Sequence, residues 1–158
     1  MSWLAREEID EVILAALGAR ALGYERAGES VYVVRLVGGD VPFAEVRLVV
    51  GDQSLLVESF FVGKPGVDAE QFYRFLLERN GRMHGVHFAI DSRGDVYLLG
   101  RLPLLAVTPD EIDRLLNRVL TYLSETFDAA LAAGFGDDVR QEWEWRASAA
   151  RRGNRGDR

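Results

Sequence analysis

Residues 31–62 read VYVVRLVGGDVPFAEVRLVVGDQSLLVESFFV, and this stretch decides the fold. Three runs rich in β-branched residues, Val31 to Val37, Phe43 to Val50 and Ser54 to Val62, are separated only by Gly38-Gly39-Asp40 and Gly51-Asp52-Gln53. Short Gly/Asp connections between such runs are hairpin chemistry, which predicts an antiparallel meander. The second run alternates, with Ala44, Val46, Leu48 and Val50 on one face and Glu45 and Arg47 on the other. The first is apolar on both faces, Val31, Val33 and Val37 against Tyr32, Val34 and Leu36. Phe60 and Phe61 likewise fall on opposite faces of the third. That pattern predicts strands covered on both sides.

Working outward, Ile9, Val12, Ile13, Ala16 and Leu17 recur at helical spacing, so residues 3 to 17 read as an amphipathic helix. Downstream, Asp68 with Gln71 has the form of a capping box. It opens a short helix carrying Phe72, Tyr73, Phe75 and Leu76 and closed by Asn80-Gly81. Two more strands, Val86 to Ile90 and Asp95 to Leu99, flank the turn Asp91-Ser92-Arg93-Gly94. Thr108-Pro109-Asp110-Glu111 is a capping box with proline in the first turn. The stripe after it runs from Ile112 through Leu116, Leu123 and Phe127 to Leu131, with Gly134 as terminator. The expected order is α-β-β-β-α-β-β-α: an α+β domain over residues 1–147, with a five-stranded antiparallel sheet and three helices. Residues 148–158, which end in RRGNRGDR, read as a disordered Arg-rich tail.

Composition narrows the function. A chain of 158 residues, 48% apolar and 28% charged, fits one globular domain. Residues 1–139 carry 13 basic and 22 acidic side chains, a poor platform for nucleic acid, which needs a clustered basic footprint. No apolar run reaches the ~18 residues of a membrane span. The start MSWLAREEIDE is too acidic for a signal peptide, so a cytoplasmic location is expected. The absence of cysteine removes thiolate chemistry.

Few residues suggest a reaction. His84 and His87 are three apart at the entry to a strand, where such positions face opposite ways. His87 and Asp91 share a face and form the one acid/base pair worth weighing, but no third ligand completes a metal site. No catalytic residue, metal or cofactor is therefore expected. Trp143 and Trp145, flanked by Arg140 and Arg146, either pack back on the body or anchor a partner, since Trp and Arg are enriched at hot spots. The aromatic surplus of Phe72, Tyr73, Phe75 and Leu76, with strands apolar on both faces, points to a homodimer through the sheet and the second helix.

The run Phe88 to Leu104 (FAIDSRGDVYLLGRLPL) and Val107 to Asp113 (VTPDEID) resembles the YbjN-like family of bacterial proteins. Phe127 to Phe135 and Trp143-Glu144-Trp145 resemble its actinobacterial branch. The resemblance spans residues 1 to about 147. It implies a fold similar to type III secretion chaperones, and with it a non-enzymatic module that binds a protein or peptide. Some family members are described as sensory transduction regulators, which implies a regulator or adaptor as the alternative. The long last helix and the Arg-rich tail are not chaperone features.

Overall fold

The meander forms as its hairpin chemistry requires, and it grows at both ends. The computed structural model describes residues 3–20, 22–38 and 41–153. Its order is α1 (Trp3–Ala19), β1 (Tyr24–Gly28), β2 (Val31–Gly38), β3 (Val41–Val50), β4 (Ser54–Val62), α2 (Ala69–Asn80), β5 (His87–Ile90), β6 (Val96–Pro103), α3 (Pro109–Ala132) and α4 (Gly136–Gly153), with a 3-10 turn at Leu104–Ala106. Six antiparallel strands make one sheet in the order β1-β2-β3-β4-β6-β5. The expectation of five strands and three helices is thus corrected to six strands and four helices among the described residues.

The two extra elements have physical explanations. All five residues of β1 are exposed, so it has no apolar period; backbone pairing to β2, Tyr24 opposite Val34, holds it. Helix α4 buries only Val139 and Arg146 deeply, and an arginine in that role hides the helical stripe. The helix also runs through Gly153, so residues 148–153, expected in the disordered tail, are helical, and Ala149 and Ala150 are half-buried. Residues 154–158, like Gly39 and Asp40 of the first hairpin, lie outside the described residues.

One face of the sheet carries the core. Register places Val34 opposite Val46, Leu48 opposite Val57, and Val57 opposite Gly100. Ile9, Ile13 and Leu17 of α1 and Ile112, Leu116, Val119 and Phe127 of α3 join them in a single buried cluster. Asp10 of α1 accepts hydrogen bonds from Ser30 Oγ (2.9 Å) and from Tyr32 OH (2.7 Å). Burial and then the bond to Asp10 push the Tyr32 phenol up to about 12, so it stays a donor.

Two similar cap sequences behave differently. Thr108 is extended and its Oγ1 accepts from Glu111 N at 3.2 Å, as expected. Asp68 instead sits in the left-handed region at φ 54°, and its side chain makes no cap bond, so the Asp68–Gln71 box does not form.

The outer edge of the sheet is closed by a side chain. Asn80, the last residue of α2, accepts from Phe88 N–H through Oδ1 (2.7 Å) and donates through Nδ2 to Phe88 O (2.9 Å). Its amide thus supplies β5 with one rung of a strand that is not there. Asn80→Ala leaves both buried groups of Phe88 without partners and should cost about 1–3 kcal/mol. Urea unfolding measures the loss, and faster amide exchange at Phe88 localises it; unchanged exchange there would contradict the rung.

Candidate functional site

Alternation puts every second strand residue on the face opposite the core. There Val33 pairs with Arg47, Arg47 with Glu58, Glu58 with Leu99, and Phe60 with Tyr97. Phe60 and Tyr97 meet edge to face with ring centres 5.4 Å apart. Cross-strand ion pairs join Arg47 to Glu58 (2.9 Å) and Arg35 to Glu45 (4.0 Å). Several of these residues line a concavity of about 580 Å³. β3 contributes Glu45 and Arg47, β4 Glu58 and Phe60, β6 Tyr97 and Leu99, and β5 with its turn Ala89, Ile90 and Asp91. No helix residue is among them. β2 and β4, apolar on both faces, are therefore not covered twice, contrary to expectation: Val37 is 76% exposed, and Val31, Val33 and Phe60 are only half-buried. Burial and the nearby carboxylates of Asp91, Asp95 and Glu58 raise the Tyr97 phenol above its ordinary value, against a smaller opposing effect of Arg93.

At one end of the sheet, α4 bridges β3 and β4 where their pairing stops. The β3–β4 pairing runs only from Val50–Leu55 to Arg47–Glu58. Beyond it, Ser59 Oγ donates to Glu45 O at 2.8 Å, and the strands then part. The Arg146 guanidinium fills the gap: Nη1 donates to Phe43 O (3.3 Å), and Nη2 to Phe60 O (2.7 Å) and Phe61 O (3.0 Å). Its Nε donates to Glu142 Oε1 (2.9 Å), and the group lies 5.4 Å from the Phe127 ring centre. Arginine's planar fork suits this cluster of carbonyls, which a lysine could not span.

The residues singled out from sequence fall in different places. Arg146, expected at a partner surface, is 3% exposed and holds strands together, so that reading is corrected. Trp143 lines a groove of about 510 Å³ with Phe127, Leu131 and Arg140 between α3 and α4. Trp145 is 58% exposed. On α2, Phe72 and Leu76 are buried within the chain, and Phe75 packs on Phe135 with ring centres 5.5 Å apart. Tyr73 donates to Gly94 O at 2.7 Å. Of the four residues that pointed to a dimer through α2, Phe72 and Leu76 are thus buried within the chain, while Tyr73 and Phe75, packed against the β5–β6 turn and the α3–α4 corner, are half-buried. Leu77, outside the predicted set, is the exposed apolar residue of that helix.

The acid/base candidates are not brought together. His87 Nε2 lies 3.0 Å from Met83 O, while Asp91 accepts from the N–H groups of Arg93 and Asp95 (2.9 and 3.0 Å). Four residues of extended chain separate the pair by about 13 Å. Among the described residues no three His, Cys, Asp or Glu side chains group as metal ligands, and no helix is long and apolar enough to cross a membrane. The open face itself was missed. Its signal was present in Phe60 and Tyr97 on the parity opposite the core.

Comparison with known proteins places this arrangement. Two solved complexes share the fold at low identity. One is the ExsC–ExsE complex (TM-score 0.56, 20% identity, 78% of this chain and 92% of that one). The other is the Yersinia pestis type III secretion chaperone SycH with a stable fragment of YscM2 (TM-score 0.52, 14% identity, 73% and 96%). Rv0487, an uncharacterised protein of Mycobacterium tuberculosis, is 38% identical over 145 residues, which is 89% of this chain and 79% of that protein. ML2442 of Mycobacterium leprae, also uncharacterised, is 44% identical over 116 residues, 73% of this chain and 63% of that protein. Residues 10–132 match the family described as "Putative bacterial sensory transduction regulator". By that match, and by the mycobacterial relatives, this chain belongs to the YbjN family.

Proposed function

We propose that this protein is a non-enzymatic adaptor that docks a protein partner on the open face of its sheet. The observation that carries the reading is that face: an aromatic floor walled by charged residues, lined only by strand and turn residues. Contiguous apolar surface rimmed by polar groups is characteristic of interaction sites. The fold neighbours support it, since SycH is a type III secretion chaperone seen in complex with a fragment of another protein. A regulator acting by such contacts also fits the family description. Self-association, where it occurs, would use a surface other than Phe72 and Leu76, which are buried.

Photo-crosslinking tests the docking face. The crosslinking analogue p-benzoylphenylalanine at position 97, in cells of the native host, should give a discrete protein adduct. The same analogue in place of Leu105, which is fully exposed in the 3-10 turn, should not. No adduct at 97, or the same adduct at both sites, would overturn the assignment.

A further inference from the structure

This inference rests on the reading that the open sheet face is the docking surface. We infer that its occupant is an amphipathic α-helix of a partner protein, with Lys or Arg flanking its apolar stripe. Backbone chemistry chooses the helix. β4 and β6 are interior strands with neighbours on both sides, so an arriving chain can bind their face only through side chains. An extended segment laid on Phe60, Tyr97 and Leu99 would bury its own N–H and C=O groups without partners, which is costly. A helix arrives with its backbone already paired. Width agrees: β3, β4, β6 and β5 span three inter-strand spacings, about 14 Å. A helix with its side chains is about 10–12 Å across.

Charge chooses the flanks. The concavity presents the carboxylates of Glu45, Glu58 and Asp91 against one guanidinium, Arg47, which Glu58 already holds at 2.9 Å. Glu45 has its partner Arg35 only at 4.0 Å, and its side chain is 54% exposed. Of the helices of a second copy, α1 exposes Glu7, Glu8 and Glu11 and would bring like charges to the carboxylates. α4 exposes Arg140, Arg151 and Arg152 but also Asp137, Asp138 and Glu144, so a second copy is an outcome the test must separate: self-association that Glu45→Arg abolishes would replace the partner helix by this one.

A phage-displayed library of random 18-residue segments, panned on the 158-residue chain, tests this. Enriched clones should be net basic, with apolar residues at i, i+3, i+4 and i+7, and synthetic copies should gain helicity on binding. Affinity should fall at least tenfold on Leu99→Arg and on Glu45→Arg. The second variant changes an exposed position, so its effect does not depend on how well the first one folds; circular dichroism checks both. Net acidic or proline-interrupted binders, equal affinity for the variants, or no enrichment would each overturn the helix. The adduct at position 97 is read separately. Should it form while the library gives extended binders, the docking face stands and the helix alone is lost.

Discussion

Replacing Arg146 with alanine should destabilise the protein by about 3–5 kcal/mol, the range seen when one partner of a buried ionic contact is removed. The side chain donates to three carbonyls where β3 and β4 part, and it is ion-paired to Glu142. Alanine would leave Phe43 O, Phe60 O and Phe61 O without this donor and Glu142 without its cation. Each unpaired buried group has its own desolvation cost, and the space above the Phe127 ring is emptied as well. For a domain of this size the melting temperature should fall by roughly 10 °C or more. Arg146→Lys should recover only part of the loss, because an ammonium cannot reach all three carbonyls in a plane. A loss below about 1 kcal/mol in urea unfolding, the scale of a single ordinary hydrogen bond, would mean that water satisfies these carbonyls without help.

Gly100→Ala should cost ~3 kcal/mol, at the upper end for overpacking. Gly100 lies opposite Val57 on the core face of β6. A Cβ there would stand 2.4 Å from Gly85 O and 2.8 Å from Val86 Cγ1. The nearer obstacle is backbone, fixed by the entry into β5, so no rotamer change relieves it. Gly18→Ala provides the contrast. Gly18 lies within α1, nothing stands within 4 Å of the new methyl, and the change should stabilise by about 0.5–1 kcal/mol. Thermal melts of the two variants should therefore move in opposite directions. Equal shifts would mean that the approach of Gly85 to β6 is loose.

Those contrasts show what a linear sequence can and cannot display. β3 was legible because its side chains alternate, β2 and β4 because their β-branched runs are set off by short Gly/Asp connections, and the stripe of α3 because most of its buried residues are apolar at helical spacing. β1 was not, since its pairing is entirely backbone and its side chains all meet water. α4 was ambiguous because its principal buried side chain is an arginine. Capping sequence alone did not separate Thr108 from Asp68; the left-handed backbone at Asp68 did. At the candidate site, apolar residues on the second parity were visible, but sequence could not say whether another layer covered them. Arg146 looked like a surface anchor because the gap it fills is made by strands about 85 and 103 residues earlier in the chain.

The Asn80 rung bears on a different hazard, fibrous aggregation. A sheet with two bare margins is a seed onto which further chains can crystallise strand by strand. At β5 the amide of Asn80 already occupies both groups of Phe88, so an incoming strand finds that position taken. At β1 the deterrent is charge and shape. The register slips between Arg26 and Gly28. Opposed residues in an antiparallel ladder share a face, so a two-fold pairing of β1 with its own copy centres on like residues. Centring on position 25 sets Glu25 against Glu25, and centring on position 26 sets Arg26 against Arg26, both repulsive. Polymerisation is thus discouraged at both margins, and a crowded solution of this protein should stay free of cross-β fibres while the broad face of the sheet is left available.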